Sequence, residues 1–239
     1  MNRAISCLCL IVMLIFCGVV AAKWGISSVI AYPSISRLED WREHQQRLEH
    51  GQWEVIRAGL VNALSYDPQN PELLHKLGLA YEGEFYYILG NGLATDYRKF
   101  AYEYYQEASA IRPAWPYHWV DLLLVKYRLG EIDEDFNVAI KQAVILGPWE
   151  PWVQQVIADV GMHHWYHFTP EMQQLVNTTV RQGVQHLDNA KPILELVKRY
   201  DMFDLICLSG IDDLQVMQFC ERNGYNQINL RLESDIDHL

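Results

Sequence analysis

The chain has 239 residues, of which 50% are apolar and 12% aromatic, enough for one domain of ordinary size with an appendage and an ample core. A formal net charge of −11, with no Lys/Arg stripe to neutralise phosphates, argues against a nucleic-acid partner and against lying flat on anionic lipid. Gly and Pro fall mainly at the ends of periodic segments, and no low-complexity run appears.

Residues 4–22, beginning at Ala4 and ending at Ala22, carry no charge. At about 1.5 Å per residue they reach roughly 28 Å, close to a hydrocarbon thickness of about 30 Å. Arg3 precedes the run, and Lys23 with Trp24 follow it as an interfacial pair, so residues 1–24 are expected to form a membrane anchor. A cleaved signal peptide ending at Val20-Ala21-Ala22 is the alternative, but the run exceeds the roughly 7 to 15 apolar residues of such segments. Cys17 makes no lipoprotein site, because Phe16 stands where a small residue is needed. Arg3 and the amino terminus favour a cytoplasmic start, although Lys23 and Arg37 lie on the other side. The expectation is a single pass through a bacterial inner membrane with a periplasmic soluble domain.

Tyr32-Pro33 and the serines at 34 and 36 predict a short polar break, giving a linker over residues 25–36. Helices are then expected over 37–50 and 52–65, followed by one over 71–84 with Pro71 at its first position and Asn70 as N-cap. Leu74, Leu77, Gly78 and Tyr81 stand at the offsets W-x2-L-G-x2-Y, with Leu in place of Trp. Ala101, Tyr105, Ala108 and Pro113 stand at the offsets A-x3-F followed by Ala and Pro. Large residues three and four apart share one helix face, and a small residue beside them admits the partner helix closely. The segment before Asn70 repeats the second half with Ile56, Leu60, Ala63 and Pro68. The segment after Pro113 repeats the whole with Trp119, Leu122, Gly130, Phe136, Ile140, Ala143 and Pro148. In that third unit Leu123 replaces the small residue and Tyr127 falls one place late. Pro113 and Pro148 lie 35 residues apart, whereas Pro68 and Pro113 lie 45 apart, so the middle unit holds an insertion, placed at residues 82–97.

These offsets resemble the tetratricopeptide repeat. The resemblance implies an all-α fold: a transmembrane helix, a tetratricopeptide-like helical-repeat solenoid over residues 37–148, and a C-terminal helical region over 149–239 that caps the last apolar face. Within that region the periodicity predicts helices over 150–160, 170–187, 190–200, 202–208 and 211–223, with Gly224 as the stop.

The insertion Phe85, Tyr86, Tyr87, Ile88, Leu89 ahead of Gly90-Asn91-Gly92 either lengthens the helix pair or projects as a partner-binding loop. Trp115, Trp119, Trp149, Trp152 and Trp165 crowd the passage from the third unit into the C-terminal region. Most are expected in the core. The remainder, with Phe85, Tyr86 and Tyr87, form the candidate surface for a partner protein or for stacking on sugar rings. His163 and His167 would share a helix face and could ligate zinc, but no Glu stands between them in the H-E-x-x-H manner, so aromatic packing is the expected role. Glu131, Asp133, Glu134 and Asp135 are expected to be solvated and to favour the start of the next helix. Cys207 and Cys220 are expected as buried free thiols, because a hairpin at Ser209-Gly210 would set Cys207 near Asp213 instead. Gly90-Asn91-Gly92 lacks the strand and Lys of a phosphate loop, and neither a nucleophile elbow nor a dinucleotide fingerprint is present, so neither catalysis nor a cofactor is expected.

Length, anchor and repeat signature together resemble a small family of bacterial exopolysaccharide-biosynthesis accessory proteins, the VpsP type. That resemblance implies a non-catalytic role with protein partners, a polysaccharide polymerase or export machine. A carbohydrate-binding module with an aromatic groove is the alternative, and a metal-dependent hydrolase a more remote one.

Overall fold

A computed structural model describes residues 2–44, 50–88 and 91–225. Among these every regular element is helical and no strand occurs. The chain divides into two compact units, Met1–Ala114 and Trp115–Leu239.

Unit 1 holds α1 (Asn2–His44), α2 (His50–Tyr66), α3 (Pro71–Ile88) and α4 (Asn91–Ile111). The expected linker over 25–36 does not exist, because α1 runs through it without a break. Proline inside a helix costs about 3 kcal/mol through its missing N–H and its clash with the preceding turn. At Pro33 the ring lies on the exposed face while Ala31, Ser34 and Leu38 are buried against the rest of the unit, and that packing offsets the cost. The N-terminal part of α1 is long and apolar enough to cross a membrane, with a window of mean hydropathy 2.9, none of it buried.

Small residues set the helix spacing. A side chain on Gly59 would meet Ser34 of α1, and one on Gly78 would meet the Tyr105 ring of α4. Gly78 and Tyr105 are the small and bulky positions of the repeat offsets, and Tyr105 is completely buried. Its hydroxyl donates to Glu82 Oε2 at 2.9 Å, so the one polar atom of this core ring is satisfied. Asn70 caps α3 as expected, accepting from the N–H groups of Glu72 and Leu73 at 3.0 and 3.2 Å. The insertion lengthens the α3/α4 pair.

Unit 2 holds α5 (Pro116–Leu129), α6 (Glu134–Leu146), α7 (Pro151–His163), a single 3-10 turn over Trp165–His167, α8 (Pro170–Val184), α9 (Leu187–Arg199), α10 (Asp204–Cys207) and α11 (Leu214–Arg222). The sequence reading groups α5 and α6 with the repeats before them. In the fold they are compact with the helices that follow, because Gly147 lies against both Pro116 and Val153. Prolines open α5, α7 and α8, while Asp133, Thr169 and Asp213 cap α6, α8 and α11 through their side chains. The core gathers Phe136, Ile140, Ile157, Val176, Val180 and Ile193. A buried amide network crosses it: Asn189 Nδ2 donates to Gln154 Oε1 at 2.6 Å, and Gln154 Nε2 donates to the Pro148 carbonyl at 2.8 Å.

Cys207 and Cys220 form a disulfide, which overturns the expectation of free thiols. The segment between them is no hairpin. Gly210, at φ 66°, turns the chain between two short helices, and that geometry carries α11 back across α10.

Candidate functional site

The aromatic residues of interest fall on two surfaces, one in each unit. In unit 2, Trp115 precedes α5 with its ring 5.6 Å from Tyr117, and the Tyr117 hydroxyl donates to Glu150 Oε2 at 2.6 Å. That bond ties the start of α5 to the turn before α7, where Trp149 is 62% exposed and Trp152 is 47% exposed. Trp149 stands edge-on to His186 at 5.8 Å. Trp115, Trp149 and Trp152, with Tyr117, therefore share one end of the unit. The hydrogen bond to the Glu150 carboxylate, and after it burial, raises Tyr117, so its hydroxyl stays a donor at neutral pH.

The other sequence candidates do not join this surface. Trp119 is half-buried on α5. Trp165 lies beyond the far end of α7, whose axis runs about 17 Å from Trp152 to His163 at 1.5 Å per residue. Phe85, Tyr86 and Tyr87 fall in the last turns of α3, and their side chains lie outside the described residues.

Unit 1 contains a groove that the sequence reading does not single out. Trp53 and Arg57 of α2, Tyr81 of α3, and Tyr97 and Phe100 of α4 line a cavity of about 520 Å³, rimmed by Glu54, Asp96, Lys99 and Glu103. Trp53 is buried and donates its indole N–H to the Ala80 carbonyl at 2.9 Å, with Tyr81 and Tyr97 edge-on to it at 5.7 and 5.4 Å. The Arg57 guanidinium lies 5.4 Å over the Trp53 ring and bonds Glu54 at 2.9 Å, and that bond raises Arg57 above its ordinary value. A groove with an aromatic floor and a rim of both charges suits a side chain that is apolar in its body and polar at its tip. The signal for it was the i, i+4 pair Trp53/Arg57 opposite the repeat's own Tyr81.

The histidine cluster takes a different form from the expected shared face. α7 ends at His163, and the 3-10 turn then redirects the chain, so His163 and His167 do not stand one helical turn apart on a common helix. His163 and His164 rings lie 4.9 Å apart and both stand edge-on to Tyr127, with Phe168 stacked on His164. Burial lowers His164, and the neighbouring His163 lowers it further, so a neutral packing ring is the form this setting favours. Among the described residues no group of three His, Cys, Asp or Glu side chains could hold a metal ion.

The acidic turn after Gly130 has a partner that the sequence reading does not assign. Lys126, its side chain 3% exposed, reaches back to Asp133 at 2.8 Å and to Glu131 at 3.3 Å. Gly130, at φ 74°, lets the chain reverse tightly enough for this. Burial works to raise the Asp133 carboxyl, but bonds from Lys126 and the Phe136 N–H outweigh it and hold the group below its usual range. These carboxylates stay about half exposed and flank the start of α6, as expected, and in addition they pair with a buried cation.

No family model matches this sequence, and no curated protein matches it. Among solved structures the fold is similar to that of human IFIT1, seen as a dimer with m7Gppp-AAAA, at a TM-score of 0.55 and 15% identity. The match covers 86% of this chain and 44% of that one, so this chain spans less than half of the human protein. At that identity the likeness speaks for fold alone, and it agrees with the repeat offsets at Gly78 and Tyr105: the chain has a tetratricopeptide-like helical-repeat fold.

Proposed function

We propose that this chain is a membrane-tethered, non-catalytic scaffold whose helical repeats dock other proteins, and that it serves as an accessory component of bacterial exopolysaccharide biosynthesis or export. The observation that carries the reading is the continuity of α1. One helix supplies an exposed apolar stretch long enough to cross a membrane and then the first packed face of the repeats. Helical repeats present surface and do not by default supply chemistry. The exposed Trp149 and Trp152 and the groove at Trp53 and Arg57 offer two surfaces rich in the residue types that dominate docking energetics. The Cys207–Cys220 bridge favours an oxidising compartment, which supports a periplasmic soluble part with the amino terminus in the cytoplasm.

The test is capture of the full-length protein from gently solubilised membranes. Co-purification of an integral polysaccharide polymerase or exporter is the expected result. Recovery of the chain alone, from membranes that retain such a machine intact, would overturn it. A carbohydrate-binding role is the second reading, favoured by the exposed indoles of Trp149 and Trp152. Saturable quenching of tryptophan fluorescence by oligosaccharide, lost in Trp149→Ala, would establish it.

A further inference from the structure

We infer that the span-proximal end of unit 1 is itself a lipid-binding surface: residues 23–28 of α1, the first turn after the span, and residues 63–66 of α2, its last turn, sit in the headgroup layer of the bilayer. The inference rests on the tether proposed above.

Residues of α1 meet α2 in descending order. Ser27 donates to the Ala63 carbonyl at 2.8 Å, and Ser34 lies against Gly59, so the two helices are antiparallel. The last turn of α2 therefore points back along α1 toward the apolar stretch, and Tyr66 comes level with the Lys23/Trp24 region. No charged residue lies between Lys23 and Arg37 on α1, or between Arg57 and Asp67 on α2.

A helix pair standing in water carries polar residues on its outer face. Here the small residues Ser27, Ala31 and Ser34 are spent on the contact with α2, while Val29 and Tyr32 face outward at 75% and 72% exposure. Trp24, Val61 and Tyr66 are exposed beside them. The large exposed side chains here are apolar or aromatic, with the short Ser28, Asn62 and Ser65 exposed among them, and Trp and Tyr are the residues of the bilayer interface. Length sets the depth: residues 4–22 reach about 28 Å, close to the hydrocarbon thickness of about 30 Å, and a headgroup layer of about 5–8 Å beyond it takes in roughly the next five residues of α1. Lys23, the first of these, can extend its ammonium to the headgroups along its own stem.

The test uses the full-length chain alone in phosphatidylglycerol/phosphatidylethanolamine nanodiscs, with Cys7, Cys9 and Cys17 replaced by Ala and the disulfide left intact. Spin labels are placed singly through Leu14→Cys, Ser28→Cys, Tyr66→Cys and Val55→Cys, and unchanged circular-dichroism melts confirm that each variant folds. Labels at 28 and 66 should lose most of the Ni(II)-chelate broadening seen at 55, while staying open to oxygen. Broadening at 28 and 66 equal to that at 55, with 14 still shielded, would overturn the headgroup seat and leave the tether standing. Broadening at 14, or loss of its label by cleavage, would overturn both. Shielding of 66 from oxygen as well would show a second copy of the chain covering the face, and would overturn the seat.

Discussion

Ser27 donates its hydroxyl to the Ala63 carbonyl at 2.8 Å, and through that bond the first turn beyond the apolar span becomes part of the repeat packing. The same helix that is apolar enough to cross a membrane is therefore held to α2 by a buried serine, by Ser34 against Gly59, and by the buried Leu38.

The repeat offsets predict which glycine matters. Gly78→Ala places a methyl against the Tyr105 ring, which is fully buried and bonded to Glu82, so the ring has nowhere to move. Overpacking of this kind costs about 1–3 kcal/mol. Gly51→Ala, in α2 with open space around it, should instead stabilise by up to about 1 kcal/mol. Urea denaturation of both variants checks the contrast.

Asp133 predicts the acid limb of unit 2. Its folded carboxyl titrates below the unfolded one, so its contribution is present above the ordinary Asp value and is lost as pH falls through the folded value. Asp133→Asn keeps a capping side chain but removes the charge facing Lys126, so melting temperature should fall less steeply with pH below about 4 than in the wild type. Thermal melts between pH 6 and 2.5 measure the slopes.

Tyr200 predicts the alkaline limb. Burial, and then its hydrogen bond to Asp159 at 2.6 Å, push the phenol up to about 12. A raised pKa gives stability that is complete below the unfolded value of about 10 and is lost as pH rises through the folded value. Tyr200→Phe should flatten the decline between about pH 10 and 12, read by chemical denaturation across that window.

The bridge between α10 and α11 predicts two readouts. In protein from membranes lysed in iodoacetamide, Cys207 and Cys220 should stay unalkylated until a reductant is added. Cys220→Ser should cost about 3 kcal/mol, the loop-closure value for a ring of this size. Modification of both thiols before reduction would place this unit in a reducing compartment.

The Trp149 and Trp152 surface predicts a separation of binding from folding. Trp149 is 62% and Trp152 47% exposed, so Trp149→Ala with Trp152→Ala should leave the melting temperature within a degree or two while weakening partner binding by about 30-fold or more, as loss of at least about 1 kcal/mol at each hot-spot aromatic implies. Quantitative capture beside a thermal melt measures both.

The middle repeat was legible in the sequence because its two halves are coupled by one contact, Gly78 against Tyr105, and each half carries a local signature. Asn70 and Pro71 were legible for the same reason, since caps act within one turn. Pro33 was misread because a proline's local preference is overridden when the opposite face of the helix is packed. The pairing of Cys207 with Cys220 depended on whether the chain at Ser209-Gly210 made a strand hairpin or joined two helices, a choice that neither cysteine reveals. The burial of Lys126 among Glu131, Asp133 and Asp135 required knowing that Gly130 folds the chain back on itself. The groove at Trp53 and Arg57 needs three helices to exist, and no single stretch of sequence contains it.

Hydrogen–deuterium exchange across residues 24–38 of the full-length protein in lipid nanodiscs tests the central claim most directly, because exchange reports local opening of each backbone hydrogen bond. A continuous helix predicts slow exchange from the apolar stretch through to Leu38, interrupted only near Pro33. Rapid exchange throughout 25–36 would mean that a loose linker joins the span to the repeats, and it would contradict the account.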